Sequence, residues 1–238
     1  SYQEYSNTVG ELESKRLLEQ RILYGMYPGI ISSTNPSFDL KIIANDYLFR
    51  YILKIATLRK PIILEKLVRL LALQSGNQVS YNEIAQKLEV SRQTIMQYIK
   101  ILEQAFIIFR LPPLSKNKRN EVTRFEKIFF YDTGIKNALL DNFNSLDKRH
   151  DKGSLFENFF ISERIKQYQK SGNHTRPYFW RTKDGSEIDL VEETYEKLEA
   201  FECKWSETSI KTRAWKNAYP DTPVTLITSK NITDILNT

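Results

Sequence analysis

Apolar residues recur at helical spacing through much of the first 145 residues, which predicts a largely helical first half. The pattern predicts a helix over 11–25 that ends at Gly25, a turn at Pro28-Gly29, a second helix over about 38–57 and a third that begins at Pro61. Further on, the apolar segment 127–131 predicts a buried strand, and Asp132 or Thr133 can cap the helix that follows it.

A more specific pattern runs from residue 80 to residue 120. Ser80 and Glu83 have capping-box spacing before a short helix over 84–88, and Ser91 can cap a second helix after a tight break at Glu89-Val90. The apolar strand 105–109 and a basic loop follow. Two short helices, a strand and a basic loop in this order predict a winged helix-turn-helix.

This predicted module offers polar and basic side chains to a polyanion. The outer face of its second helix carries Arg92, Gln93, Gln97 and Lys100, and its wing carries Lys116, Lys118 and Arg119. Residues 41–130 hold sixteen Lys and Arg against seven Asp and Glu. These features favour duplex DNA, contacted mainly at its phosphates, as a partner. The alternative is that the winged helix binds protein or acts as a spacer.

Beyond residue 153 the period changes from helix to strand. A helix of about four turns closes at Gly172, and Glu157 shares its apolar side with Phe160 and Ile161. A carboxylate in such a place requires a hydrogen-bonding partner, a cation or a metal, because burying it alone costs several kcal/mol.

Two strands after a turn at residues 183–185 bring more charge into this region. Alternation predicts Glu187 and Asp189 on one side of the first strand, with Ile188 and Leu190 on the other, and it places Glu202 and Lys204 together on the next strand. Asp189 is therefore expected near Glu202 and Lys204. Two adjacent carboxylates favour Mg²⁺ or Mn²⁺, whereas the plainer alternative is a salt bridge on a solvated sheet face.

Composition narrows the class of protein. The chain has 238 residues, 41% of them hydrophobic, which is enough to fill real cores in an α+β protein. One cysteine excludes an internal disulfide, and one cysteine with two histidines cannot supply the four ligands of a common zinc site. No signal peptide or membrane-spanning run is present in the sequence, so a cytoplasmic location is expected.

At this point the sequence resembles the restriction-endonuclease-like fold of the PD-(D/E)XK nucleases. The segments "LFENFF", "WRTKDGSEIDLV" and "AFECKWS" carry a helix glutamate, a strand aspartate and a Glu-x-Lys in the family's order. The resemblance implies that Asp189 and Glu202 bind the metal, that Lys204 assists the attacking water and that Glu157 completes the site. It also implies a mixed sheet in the C-terminal domain.

A wider resemblance covers nearly the whole chain from about residue 15. With "YGMYPGII", "FFYDTGI" and the winged helix, the sequence is similar to the C-terminal part of uncharacterised prokaryotic AAA-type ATPases. No G-x-x-x-x-G-K-[ST] loop is present in this sequence, so ATP is expected to bind only to an N-terminal ATPase domain of a longer protein. The domains expected are a helical linker or lid remnant over 1–57, the winged helix over 58–145 and the nuclease-like domain over 146–238.

Two functions from different classes follow from these patterns. One is a metal-dependent nuclease module with a DNA-binding winged helix, joined in cis to the ATPase. The other is a targeting module that binds DNA or protein and keeps a nuclease-like fold as a scaffold, because a fold by itself does not establish chemistry.

Overall fold

The computed structural model describes residues 1–45, 61–115, 126–172, 174–195 and 197–237. Two compact units, each built from separate stretches of the chain, account for this structure. The sheet unit comprises Ser1–Arg16, Leu111–Lys127 and His150–Thr238, and the helical unit comprises Leu17–Arg110 and Ile128–Arg149. The segment 1–57 is thus shared between the two units.

The helical unit consists of short helices and a two-stranded sheet. Its elements in chain order are α3 (Leu18–Tyr24), α4 (Pro28–Ile31), α5 (Pro36–Ile42), α6 (Pro61–Leu73), α7 (Tyr81–Lys87), α8 (Arg92–Gln104), β1 (Ile108–Leu111), β2 (Lys127–Phe130), α9 (Thr133–Leu139) and a short 3₁₀ helix (Leu146–Lys148). The end residues Leu111 and Lys127 of the two strands belong to the sheet unit. Aliphatic side chains from most of these helices form one buried core.

Local signals in the sequence account for many of these boundaries. Ser80 and Ser91 accept hydrogen bonds from the backbone N–H groups three residues on, at 3.4 and 3.1 Å, and so cap α7 and α8. Glu89, between those helices, has φ of 54°, which makes the break tight. Gly25 ends α3 with φ of 72°, a value that glycine adopts at little cost.

Asp132 ties α9 to the end of α3. Its Oδ1 accepts a hydrogen bond from the Ile135 N–H at 3.1 Å, which caps α9 as predicted, and its Oδ2 accepts one from the Met26 N–H at 2.7 Å. The added Cβ of an alanine at position 25 or 134 would lie about 2 Å from the Asp132 carboxylate or the Tyr24 carbonyl oxygen. Both glycines therefore permit a close approach that no other residue allows.

The sheet unit is built around a mixed four-stranded sheet. Its elements are α1 (Tyr2–Val9), α2 (Glu11–Arg16), α10 (Lys152–Ser171), β3 (Arg176–Arg181), β4 (Glu187–Glu193), β5 (Leu198–Cys203), α11 (Arg213–Ala218), β6 (Val224–Ile227) and α12 (Ile232–Asn237). Strand order is β3-β4-β5-β6, and the first two pairings are antiparallel while β5 and β6 are parallel. Such a parallel pair requires a crossover, which α11 supplies.

Aromatic side chains fill both faces of this sheet. Phe160 of α10 packs on Phe201 of β5, with ring centroids 5.7 Å apart, and Trp215 of α11 packs edge-on against Trp180 at 5.2 Å. The N-terminal helix is held by the same unit, since the Tyr2 N–H donates to Glu163 Oε2 at 2.6 Å. Because α10 covers one face of the sheet and α11 covers the other, polar side chains lie at the ends of the strands.

The structure corrects three of the local predictions. The single helix predicted over 11–25 is two helices, α2 and α3, which belong to different units. The turn at Pro28-Gly29 is a short helix with proline at its first position. The strand predicted over 105–109 begins only at Ile108, because Ala105 ends α8 and Phe106 has φ of 54°. The predicted helix over 38–57 is observed as α5, and its second half lies outside the described residues. Within the described ranges no helix combines the length and the apolar character needed to cross a membrane.

Candidate active site

A β-bulge in β4 positions Asp189. Tyr178 and Trp180 of β3 pair with Val191 and Ile188, so two residues of β4, Asp189 and Leu190, lie opposite one residue of β3. Backbone pairing between β4 and β5 ends at Leu190 and Phe201. The Asp189 carboxylate then continues the contact, because its Oδ2 accepts a hydrogen bond from the Cys203 N–H at 2.8 Å.

The bulge also changes the predicted faces of β4. Ile188 packs with Val191 and Trp215 in one cluster, while Leu190 pairs with Phe201, whose ring faces α10. The prediction that Ile188 and Leu190 share a face is therefore wrong. Strict alternation fails here because the bulge inserts one extra residue into the strand.

Glu202 and Lys204 lie at the end of β5. The Lys204 Nζ is 2.8 Å from Glu202 Oε1, and the side chains are 44% and 13% exposed. Glu202 Oε2 is fully buried and has no hydrogen-bond partner in the described part of the chain. A buried carboxylate oxygen without a donor carries an unfavourable desolvation cost, which a bound proton or cation relieves.

Lys127, the first residue of β2, supplies the cation that Glu157 requires. Its side chain is 3% exposed, and its Nζ lies 3.0 Å from Glu157 Oε1 and forms a second ion pair with Glu187. Glu187 also pairs with Arg181 at 3.3 Å at the rim. Four carboxylates thus face three cations, and the cluster keeps one uncompensated negative charge if all are ionised.

The pKa values in the cluster follow from burial and from this charge balance. Burial and the charge of Asp189 raise the pKa of Glu157 to about 8, although Lys127 opposes the shift. Burial raises the pKa of Asp189 and of Glu202 as well, against the opposing effect of the nearby lysines. Burial lowers the pKa of Lys127, but the surrounding carboxylates outweigh it and the net shift is upward.

The surroundings of the Cys203 thiol show that Glu157, Asp189, Glu202 and Lys204 lie close together. The thiol pKa is raised first by burial and then by the charges of Asp189, Glu157 and Glu202, and it is lowered by Lys204. All four predicted residues therefore lie around one buried sulfur atom. The buried thiol with its raised pKa is a poor nucleophile, so Cys203 is a core residue.

This cluster predicts that stability falls as the pH rises. The folded state holds a proton on Glu157 up to about pH 8, whereas the unfolded chain releases it near the ordinary value of 4.5. Between those values the folded state binds more protons, so the free energy of unfolding should decrease by up to about 1.4 kcal/mol per pH unit for this one group. Urea unfolding at about pH 5, 6.5 and 8 measures the slope.

Glu157→Gln is the matched variant for this slope, because glutamine has no proton to release. We expect a flatter pH dependence, with a remainder from Asp189 and Glu202, whose pKa values are also raised. Two results would contradict this prediction. Either the free energy of unfolding of the parent rises between about pH 5 and pH 8, or Glu157→Gln leaves its pH dependence unchanged. Each would show that Glu157 does not retain its proton in the folded state.

Sequence reasoning did not identify Lys127 as a member of the cluster, and it placed Glu187 beside Asp189 without including it in the site. The signal for Lys127 was a lysine at the head of the apolar segment "KIFF", since every residue of β2 is buried. A charge in a fully buried strand implies a charged partner. Its partners are distant in sequence, so that pattern alone did not identify them.

The residues predicted to contact DNA are described only in part. Arg92, Gln93, Gln97 and Lys100 are exposed on α8, while Ile95, Tyr98 and Ile99 are buried, as the helical pattern predicts. Lys116, Lys118 and Arg119 of the predicted wing lie outside the described residues. The exposed side of α8 is thus largely polar, with Met96 as an exposed apolar side chain.

The carboxylates of the cluster offer few ligands to the predicted metal ion. In the described stretches no group of three or more His, Cys, Asp or Glu side chains is arranged to hold a metal ion. Mg²⁺ is often held by only one or two carboxylates, with water and substrate phosphate as its other ligands. Asp189 and Glu202 fit that smaller requirement, because Glu202 Oε2 has no hydrogen-bond partner in the described stretches.

Comparison with known proteins matches two parts of the chain to family models, and both families are described as domains of unknown function. Residues 152–233 match the family described as Domain of unknown function (DUF4143), which is commonly found in proteins associated with AAA ATPases. Two curated relatives are the uncharacterized protein Mb2031c of Mycobacterium bovis and the uncharacterized protein Rv2008c of Mycobacterium tuberculosis. Each is 28% identical over 154 residues, which are 64% of this chain and 34% of the relative.

The chain therefore matches about a third of the length of these relatives. No solved structure matches it significantly. Residues 15–146, more than half of the chain, match the model of a second family, which covers most of the helical unit. The chain belongs to the family described as Domain of unknown function (DUF8612).

Proposed function

We propose that the sheet unit is a metal-dependent nuclease module of the PD-(D/E)XK type, which hydrolyses phosphodiester bonds with Mg²⁺ or Mn²⁺. The observation that carries this proposal is the buried Oε2 of Glu202, which lies beside Asp189 and has no hydrogen-bond partner among the described residues. The order of elements supports it, because the helix glutamate, the strand aspartate and the Glu-x-Lys occur on α10, β4 and β5 in turn. The mixed sheet of this unit agrees with such a fold.

Each side chain has a distinct task in this proposal. Asp189 and Glu202 would hold the divalent ion, which when bound lowers the pKa of a water and neutralises charge on the phosphate. Lys204, which is 44% exposed, can reach from Glu202 toward solvent and stabilise the negative charge that develops on the phosphate oxygens. Glu157 completes the site with its raised pKa, a property common among catalytic carboxylates.

The chain would act within a longer protein. Its resemblance to the C-terminal part of AAA-type ATPases and the association of the DUF4143 family with such proteins support an ATPase domain in cis. ATP would bind there, because this sequence has no phosphate-binding loop. A cytoplasmic protein that uses ATP to control access to DNA accounts for these features together.

The test of the nuclease proposal uses two conservative variants, Glu202→Gln and Asp189→Asn. Mn²⁺ at about 10 to 100 times its Kd should stabilise the parent by about 1 to 3 kcal/mol in thermal melts, and neither variant should respond. In EDTA, Glu202→Gln should be as stable as the parent or more stable, because the carboxylate is unfavourable where it lies. Cleavage of a labelled DNA in Mn²⁺ should be lost in both variants.

The opposite outcome has a definite meaning. A parent that shows no Mn²⁺ shift, together with a Glu202→Gln form that is weaker in EDTA, would identify the pair of Glu202 and Lys204 as a structural salt bridge. The nuclease proposal would then be abandoned.

One observation favours a second candidate, a binding module on a nuclease-like scaffold. Lys127 pairs with both Glu157 and Glu187, so a protein cation already occupies part of the acidic cluster. A cluster balanced by its own lysine can stabilise a scaffold that binds DNA or protein without hydrolysis. DNA binding in EDTA with no cleavage in Mn²⁺ at any protein concentration would support this candidate over the first.

In both candidates α8 would contact duplex DNA. With about three to five phosphate contacts from Lys100, Lys116, Lys118 and Arg119, the log-log slope of affinity against salt should be about −3 to −4. Fluorescence anisotropy at two salt concentrations measures it. Affinity that ignores salt, or that persists after replacement of the three wing cations, would contradict this role.

A further inference from the structure

An open cavity of about 760 Å³ lies in the sheet unit, apart from the carboxylate cluster. Its walls are Ser186, in the turn between β3 and β4, and residues of the segment 210–217, which leads into and forms much of α11. The cavity opens to solvent and is built from two loops and one short helix. It can therefore receive an extended ligand from outside.

The charged side chains that are described in the cavity wall are all positive. They are Lys211, Arg213 and Lys216, and no carboxylate of the described residues lines the cavity. Within the described ranges none of the three forms an ion pair. Two other exposed lysines of the same unit, Lys197 and Lys230, are paired with glutamates at 3.1 and 3.3 Å.

The neutral polar side chains of the lining are also hydrogen-bond donors, and the remaining lining residues, Ile210 and Ala214, are apolar. The side chains of Ser186, Thr212 and Asn217 line the cavity and make no side-chain hydrogen bond with any described residue. Phosphate oxygens only accept hydrogen bonds, and lysine, arginine, serine, threonine and asparagine are the side chains that usually donate to them in nucleic-acid complexes. The cations and donors of this lining therefore suit the phosphates of a phosphodiester backbone, and Ile210 and Ala214 can contact its sugars.

The position of the cavity relates it to the carboxylate cluster. Ser186 directly precedes Glu187, the first residue of β4 and a member of the cluster. On β5 the last residue is Cys203, followed by Lys204 and then the segment that leads to the cavity. The cavity and the cluster thus lie at the same end of the sheet.

We propose that this cavity binds the sugar-phosphate backbone of a nucleic acid and holds it beside the carboxylate cluster. The proposal rests on the proposed nuclease function for the purpose of the binding, but the binding itself requires no metal. It assigns a contact surface to the sheet unit, separate from α8 in the helical unit.

The experiment compares two triple variants that remove the same charge. Lys211→Gln/Arg213→Gln/Lys216→Gln alters the cavity, whereas Lys170→Gln/Arg176→Gln/Lys197→Gln alters exposed residues where α10 ends and where β3 and β5 begin, at the opposite end of the sheet. The full chain is titrated against labelled single-stranded and duplex DNA in EDTA. The cavity variant should lose at least about tenfold in affinity at low salt, and its log-log salt slope should become less steep by about 2 to 3.

The control variant should bind within about twofold to threefold of the parent, because its cations face the opposite end. An equal loss of DNA affinity in both variants would mean that only the net charge of the protein matters. An unchanged DNA affinity in the cavity variant would mean that α8 binds the DNA without the cavity. Either result overturns the proposal. A thermal melt of each variant confirms that it is folded.

Failure of this proposal is distinguishable from failure of the nuclease proposal. The Mn²⁺ stabilisation that Glu202→Gln removes should persist in the cavity variant, because none of the three cations belongs to the carboxylate cluster. Loss of DNA affinity with the Mn²⁺ response intact supports the cavity alone. A Mn²⁺ response and DNA cleavage that are both retained with unchanged DNA affinity would refute the cavity and leave the nuclease standing.

Discussion

Replacing Lys127 with Met should destabilise the sheet unit by about 3 to 5 kcal/mol, because it removes one partner of a buried pair and leaves the others uncompensated. The Lys127 side chain is 3% exposed, and Glu157 and Glu187 both depend on it. Methionine has a similar length, so loss of packing contributes little. Urea unfolding at about pH 7.5, followed by a signal from the tryptophans of the sheet unit, measures the loss.

Lys204→Met is the control for this prediction, since it removes a lysine from the same cluster at a place that is 44% exposed. It should cost about 1 kcal/mol or less. The added change Glu187→Gln should recover part of the cost of Lys127→Met, because it removes a carboxylate that has lost its buried cation. A loss below about 1 kcal/mol, or a loss that Glu187→Gln does not reduce, would show that the ion pairs of Lys127 are not important for stability.

Replacing Gly134 with Ala should destabilise the helical unit by about 3 kcal/mol or more, because the new methyl group has no room. Its Cβ would lie 2.2 Å from the backbone oxygen of Tyr24 and 3.0 Å from Asp132 Oδ1. A backbone oxygen cannot move away as a flexible side chain can, so α9 and α3 would have to separate. The midpoint of thermal or urea unfolding, compared with the parent, measures the effect.

Gly29→Ala provides the control in the same unit. No atom lies within 4 Å of the Cβ that this change would add, and Gly29 lies in the helix α4. Alanine there should be neutral or stabilise by up to about 1 kcal/mol, since it is the better helix former. If Gly134→Ala proved as well tolerated as Gly29→Ala, the close approach of α9 to α3 in this structure would be wrong.

Local sequence signals predicted the elements of this fold well wherever the determining contacts are close in sequence. Gly25 ends α3, Pro61 begins α6, Ser91 caps α8 and Gly172 ends α10, because each of these effects depends on residues within one helical turn. The hairpin turn before β4 follows the same rule, with Gly185 at φ of 85°. The start of β1 was missed by three residues, since Phe106 adopts a conformation that an apolar pattern does not indicate.

The candidate site was likewise predicted in part from the sequence and decided in part by the tertiary structure. The sequence by itself brought Glu157, Asp189, Glu202 and Lys204 into one hypothesis, because a carboxylate on an apolar face or strand requires a partner whatever the fold. Only the tertiary structure decided which partner each one has. Lys127 reaches Glu157 and Glu187 across 30 and 60 positions of sequence, and the bulge at Asp189 depends on how β3 and β4 are paired. Contacts between distant segments are set by packing and strand register, and no local pattern records either of them.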